Sequence, residues 1–133
     1  MATEKKLQNA ILRQFATRPE LRLWRANVGT AVPISYVKQI EKSLLLGDRE
    51  EALTLLRSAP VISFGVKGQA DLTGILPGGT RLEIEVKGEG GRQTEDQQRY
   101  QRMINNKGGL YILAREVDDV GDEIYNFIKE GKA

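Results

Sequence analysis

The sequence contains no histidine and no cysteine among its 133 residues. Zinc sites built from thiolate or imidazole ligands are therefore excluded, and so are the Ser-His-Asp and Cys-His relays of nucleophilic enzymes. No disulfide can form, which fits a reducing compartment. Any catalytic chemistry depends on carboxylates, lysine, arginine, amides, hydroxyls or a hard metal ion. The length suits one domain with its own hydrophobic core.

Long apolar segments and a strong net charge are also missing. No apolar run approaches the roughly 20 residues of a bilayer span, and the N-terminus lacks the apolar core of a signal peptide. We therefore expect a soluble, intracellular protein without a membrane partner, acting in the cytoplasm of a bacterial host if its compact form reflects a viral origin. The net charge of +2 is too small to predict nucleic-acid binding. Residues 61–133 contain ten Lys and Arg against twelve Asp and Glu, so converging carboxylates are expected there.

The order of the elements that hydrophobic periodicity predicts indicates an α/β or α+β domain. Of the two we predict the α/β fold, with a mixed central β-sheet flanked by helices. The motif Pro77-Gly78-Gly79 predicts a hairpin between two of the strands. The predicted elements are a helix over 3–17, a strand over 21–28, helices within 34–58, a strand over 61–64, strands over 71–76 and 80–87, a helix over 94–106, a strand over 110–114 and a helix over 119–130. Together they predict one sheet in a single domain.

The predicted strand Arg81–Lys87 has one apolar side and one charged side, because side chains alternate along a strand. The charged side consists of Glu83, Glu85 and Lys87. Asp71 begins the partner strand of the hairpin, so it is expected to approach Glu85. Two carboxylates on one sheet face are costly unless they are solvated or functional.

Two close carboxylates raise each other's pKa unless a cation lies between them. Without histidine or cysteine, Mg²⁺ or Mn²⁺ bound through oxygen is the cofactor that suits the pair. A metal held by Asp71, Glu85 and the backbone carbonyl of Val86 would leave positions for a phosphate oxygen and an activated water. Lys87 on the same face would orient that water or stabilise developing negative charge. The pattern is that of phosphodiester hydrolysis.

The same segments resemble the virus-type replication-repair nuclease (VRR-NUC) branch of the PD-(D/E)xK nuclease superfamily. The matching residues are Trp24–Gly29 (WRANVG), Gly65–Asp71 (GVKGQAD), Ile84–Lys87 (IEVK), Gly91-Arg92 with Gln97 and Tyr100, and Gly108–Ala114 (GGLYILA). The resemblance covers most of the chain except about 34–58. One departure is Ala70, where the family usually has a proline that shapes the backbone.

This resemblance implies a restriction-endonuclease-like core in a single nuclease domain over 1–133, with a helical insertion over about 34–58. It implies that Asp71 and Glu85 bind the metal and that Lys87 is the catalytic lysine. It places Gln97 near the active site as well. Glu4, in the first helix, resembles an acidic residue that can join the metal.

Each of these residues also has a plain structural interpretation. Glu85 and Lys87 could form a solvated ion pair on an edge strand, and Asp71 could begin a strand or turn. Gln97 fits a capping box at the start of its helix, although it also faces the sheet. Glu4 could simply favour the positive end of its helix dipole.

Glu83 shares the charged face, and we interpret it as a structural or solvated carboxylate. Most surface Lys and Arg residues only solvate the protein, but a nuclease needs positive charge to hold phosphates. Lys67 and Arg92 lie in glycine-rich loops beside the motif, so they are the residues expected to contact DNA.

The expected function is therefore that of a metal-dependent DNA endonuclease acting through a metal-activated water. The resemblance favours branched DNA, as in Holliday-junction resolution and DNA repair. Two symmetrical nicks would suit a homodimer, for which 34–58 could supply the contact or instead embrace DNA. The alternatives are a flap nuclease, another structure-specific or restriction-like nuclease, or a non-catalytic nucleic-acid-binding module on the same fold.

Overall fold

The computed structural model describes residues 3–133, which contain five α-helices and six strands. The helices are α1 (Glu4–Phe15), α2 (Ile34–Leu45), α3 (Arg49–Ser58), α4 (Glu95–Asn106) and α5 (Val117–Lys129). The strands are β1 (Arg22–Arg25), β2 (Gly29–Ala31), β3 (Ile62–Phe64), β4 (Leu72–Ile75), β5 (Arg81–Val86) and β6 (Leu110–Ala114). None of the helices in this part of the chain has the length and hydropathy needed to cross a membrane.

Four strands form a mixed sheet in the order β1-β4-β5-β6. Both β1 and β5 run antiparallel to β4, whereas β6 runs parallel to β5. Helix α4 lies between β5 and β6 in the chain, as a crossover between parallel strands requires. The prediction of a mixed α/β fold with a mixed sheet flanked by helices is confirmed.

Helices α1 and α5 pack on one face of this sheet, and α4 packs on the other. The first face carries the main hydrophobic core, which joins the apolar stripes of both helices to the apolar side of β5. Its chief members are Leu7, Ile11, Phe15, Leu82, Ile84, Val86, Val120 and Ile124. On the second face, Tyr100 and Ile104 of α4 pack against Ala70 and Tyr111. The charged side of β5 therefore faces α4.

Residues Val28–Gly65 form a compact unit of their own, distinct from the unit that contains the four-stranded sheet. Within it, β2 pairs antiparallel with β3, and α2 packs against α3. The prediction of one sheet is therefore wrong for the strand over 61–64, because Gly29 begins a strand that pairs with it. Two compact units can belong to one domain, and the single domain over 1–133 stays a prediction.

Element boundaries are closest to prediction where a local signal defines them. Thr94 caps α4, which ends at Asn106, and β6 has the predicted bounds. The predicted strand over 21–28 is shorter in the structure and ends at Arg25. After it, the backbone N–H of Ala26 donates to the carbonyl of Asp71 at 2.9 Å, which ties the chain to the start of β4.

Candidate metal-binding active site

Asp71 and Glu85 meet across the antiparallel pair β4–β5. Leu72 is paired with Ile84, so the next residues outward, Asp71 and Glu85, lie opposite each other on the face that α4 covers. Asp71 Oδ2 accepts a hydrogen bond of 2.8 Å from the backbone N–H of Val86. The structure thus brings the two predicted carboxylates together at the end of β5.

Burial raises the pKa of both carboxyl groups. Glu85 is only 2% exposed, and burial together with the negative charge of Asp71 raises its pKa to about 7. The pKa of Asp71 is also raised, chiefly by burial, although the hydrogen bond from Val86 lowers it. The two groups are near enough to share a hydrogen bond when one is protonated. A proton or a cation between them relieves their repulsion.

Lys87 lies beside this pair, as predicted from the alternation along β5. Its Nζ is 3.5 Å from Glu85 Oε1, and its side chain is largely buried. The backbone N–H of Lys87 donates to the carbonyl of Ala114 at 3.0 Å. The peptide that joins Val86 to Lys87 is trans, so its carbonyl and its N–H point in opposite directions. Because the Lys87 N–H points toward β6, the carbonyl of Val86 points away from β6. It therefore lies on the side where the Val86 N–H meets Asp71.

Gln97 satisfies both interpretations of the sequence. It forms a reciprocal capping box with Thr94: its backbone N–H donates to Thr94 Oγ1, and its Oε1 accepts from the Thr94 N–H. Its Nε2 donates a hydrogen bond of 2.9 Å to Glu85 Oε1. An amide has separate donor and acceptor atoms, so one side chain both caps α4 and contacts the carboxylate pair.

Glu4, the first residue of α1, reaches the loop that follows β5. Its Oε1 accepts a hydrogen bond of 3.1 Å from the backbone N–H of Gly88. Its negative charge contributes to raising the pKa of Asp71, so the three carboxylates interact electrostatically. No group of three such side chains in residues 3–133 has an arrangement that would hold a metal ion. A metal site would therefore rest on Asp71 and Glu85.

An unpartnered oxygen at this pair fits a cation. Glu85 Oε2 and Glu83 Oε2 are both buried and have no hydrogen-bond partner in the described chain, which is costly for a carboxylate. Of the two residues, Glu85 has a second carboxylate, Asp71, opposite it across the strand pair. Mg²⁺ and Mn²⁺ prefer oxygen ligands of this kind. The carboxylates of Asp71 and Glu85, with the inward carbonyl of Val86, thus suit the donor set of a hard divalent ion.

Glu83 has a larger structural role than the sequence indicated. It is completely buried, and its Oε1 accepts hydrogen bonds from Thr73 Oγ1, Arg81 Nε and Tyr100 Oη at 2.6–2.9 Å. The contact with Glu83, after burial, raises the pKa of Tyr100 to about 12. The network holds α4 against β5 one turn beyond Gln97. A signal for this contact is present in the sequence. Alternation along β5 places Glu83 and Glu85 on one face, and helical spacing places Gln97 and Tyr100 on the side of α4 that packs against the sheet.

The two predicted DNA-contacting residues are exposed but differ in their partners. Lys67 Nζ is 3.4 Å from Asp96 Oδ2, in an exposed ion pair between its loop and the first turn of α4. Arg92 follows the Gly88–Gly91 turn and is exposed. Sequence reasoning missed Arg115, whose guanidinium donates to the carbonyls of Gly88 and Gly91 at 2.9 and 2.8 Å. No local pattern points to a contact between positions so far apart in the chain.

Comparison with family models, with curated proteins and with solved structures found no match.

Proposed function

We propose that this protein is a metal-dependent DNA endonuclease with a restriction-endonuclease-like core. The observation that carries the proposal is the pair formed across β4–β5 by Asp71, which is partly buried, and Glu85, which is buried, with Lys87 Nζ 3.5 Å from Glu85 Oε1. A purely structural ion pair would need one carboxylate for one lysine. Here a second carboxylate raises the pKa of the first, and one buried oxygen has no partner. A bound cation would offset the charge of the two carboxylates and would be a partner for that oxygen.

Asp71, Glu85 and the Val86 carbonyl would hold Mg²⁺ or Mn²⁺, and Glu4 is placed to influence the site through Asp71. When bound, such an ion polarises a phosphate oxygen and lowers the pKa of a water molecule. The ammonium group of Lys87 would stabilise negative charge on the phosphate in the transition state. The chain has no histidine, so Lys87 is the positively charged hydrogen-bond donor nearest to the carboxylate pair.

The substrate that we propose is branched DNA, cut as in Holliday-junction resolution by a homodimer. Lys67 and Arg92 would contact phosphates, since both side chains are exposed in loops next to the carboxylate pair in sequence. A dimer would present two such sites for two symmetrical nicks.

Cleavage of a panel of junction, flap, nicked, duplex and single-stranded DNAs with Mg²⁺ or Mn²⁺ tests the proposal. We expect Lys87→Ala to lower the rate by about 10²-fold or more, because it removes a charged donor from the transition state. Lys107→Ala, at the exposed end of α4, is the matched control and should cleave normally. Activity that survives in Lys87→Ala would refute the role of this lysine. Binding without cleavage of any DNA would favour a non-catalytic module.

A further inference from the structure

The tryptophan of β1 lies on the same sheet face as the carboxylate pair. Trp24 is in register with Thr73 of β4, which is in register with Glu83 of β5. Side chains in register across a sheet point to the same face. Asp71 lies two residues before Thr73, so Trp24 is its diagonal neighbour, with Cα atoms roughly 7–8 Å apart. Any group stacked on Trp24 would therefore lie on the sheet face that carries Asp71.

This part of the sheet face is open to solvent, although β1 itself is well packed. Trp24 is 41% exposed, and the neighbouring Ile75 is 45% exposed. On the opposite face of the same strand, Leu23 packs on the main core, and Arg25 donates hydrogen bonds to Gln8 and Asn9 of α1. The indole is thus exposed because one face of β1 is open to solvent, although the other face of the strand is packed.

Two arginines flank the open face. Arg22, Ile75 and Arg81 form the next row across β1, β4 and β5. Arg22 forms no ion pair with any residue in 3–133. Arg81 contacts Glu83 through Nε only, and its side chain is half exposed, so its terminal nitrogens are not used in that contact. An exposed indole with two guanidinium groups matches the chemistry of a nucleotide, which has an aromatic base and anionic phosphates.

We propose that Trp24 stacks against an unpaired nucleobase of the DNA substrate, while Arg22 and Arg81 contact its backbone phosphates. This inference rests on the proposed function insofar as it takes DNA to be the substrate. Stacking tolerates any base, because every base has an aromatic face. Its consequence is selectivity for DNA in which nucleotides next to the cleavage position are unpaired, as in a flap or in a junction opened at its crossover, since a base stacked within a duplex is not free to stack on the indole.

Tryptophan fluorescence reports directly on this contact, because Trp24 is the only tryptophan in the chain. The full-length protein is titrated in EDTA with a short single-stranded DNA and, separately, with an abasic strand of equal length. We expect the bases to quench the emission at saturation and the abasic strand to leave it nearly unchanged. Equal emission with both strands, at concentrations where fluorescence anisotropy of labelled DNA shows binding, would overturn the inference.

Variants test the same contact by anisotropy. Trp24→Ala should weaken single-strand binding by roughly 5- to 150-fold, the range for one lost stacked base, and Trp24→Phe should retain most of the affinity. Arg22→Ala should reduce the slope of log affinity against log salt by about one. Tyr125→Ala removes an aromatic ring that is 64% exposed on α5 and should bind normally. Equal weakening in Tyr125→Ala would contradict a specific role for Trp24.

Binding and cleavage separate this inference from the nuclease proposal. Base-dependent quenching in a protein that cuts no DNA with Mg²⁺ or Mn²⁺ would support stacking and refute the nuclease. Cleavage without base-dependent quenching would support the nuclease and refute stacking. The wild-type titration decides the question even if Trp24→Ala does not fold.

Discussion

An exposed glutamate loses its proton near pH 4.5, whereas Glu85 keeps its proton up to about pH 7 in the folded chain. Because the raised pKa belongs to the folded state, protonation of Glu85 stabilises the fold. That contribution is complete below about pH 4.5 and is lost as the pH rises through about 7. Without a divalent cation, we expect Glu85→Gln to be more stable than the wild type by about 3 kcal/mol at pH 8, because each unit of raised pKa corresponds to about 1.4 kcal/mol. The difference should nearly vanish at pH 4.5.

Urea unfolding in EDTA at several pH values measures this difference. Glu123→Gln is the matched control, because Glu123 is exposed on α5 and its replacement should leave the pH dependence unchanged. A Glu85→Gln difference that is the same at pH 4.5 and pH 8 would show that the carboxylate pair does not carry the raised pKa.

Divalent cations should stabilise the same pair at pH 8. A ligand that binds only the folded state adds about 2.7 kcal/mol when its concentration is 100 times its Kd. We expect Mg²⁺ or Mn²⁺ to raise the Tm of the wild type and to have little effect on Asp71→Asn, which lacks one anionic ligand. Asp118→Asn, on the exposed side of α5, should respond like the wild type. Equal Tm shifts in all three proteins would mean that the cation does not bind at Asp71 and Glu85.

At the scale of elements, α4 is positioned by a close approach of the Val66–Gln69 turn. Gly68 has φ +79°, and a Cβ at this residue would overlap the backbone carbonyl of Asp96. We expect Gly68→Ala to destabilise the fold by the left-handed cost of about 1–2 kcal/mol, plus about 1–3 kcal/mol for the overlap. It should also slow any cleavage, because Asp96 is adjacent to Gln97.

Gly90→Ala separates the two costs, because Gly90 has a similar φ of +77° but open space at the Cβ position. Denaturant unfolding of both variants gives the comparison. Gly90→Ala should show only the conformational cost. Equal losses of stability in the two variants would mean that the turn does not pack tightly against α4.

Sequence reasoning reached those features that depend on neighbours in the chain. Thr94 and the Gly108-Gly109 pair define the ends of α4, and alternation along β5 placed Lys87 beside Glu85. It did not reach features set by distant partners. The burial of Glu83 depends on Tyr100 arriving from α4, and the Gly88–Gly91 turn is held by Arg115, 24 to 27 residues later. The strand over 61–64 had no local sign that its partner begins at Gly29.

At the scale of the whole molecule, the unit Val28–Gly65 has many exposed apolar side chains and few buried ones. Its buried side chains are Ala52 and Ser43, so α2 and α3 do not form a substantial core between them. Five leucines of this unit have exposed fractions of 43–79%: Leu44, Leu45, Leu46, Leu53 and Leu56. Contiguous apolar patches on a protein surface are typical of interaction sites. The homodimer in our proposal would cover such a surface.

We therefore expect the full-length protein to be a dimer by light scattering. Replacing Leu45 and Leu46 together by aspartate should shift it to the monomer, because an isologous interface places both copies of each change in the contact. Tyr125→Asp, at a position on α5 that is 64% exposed, should leave the mass unchanged. A junction nuclease made monomeric in this way should still nick, since each copy keeps its own Asp71 and Glu85, but it should no longer make paired cuts. A dimer that persists in the Leu45 and Leu46 variant would exclude this surface as its contact.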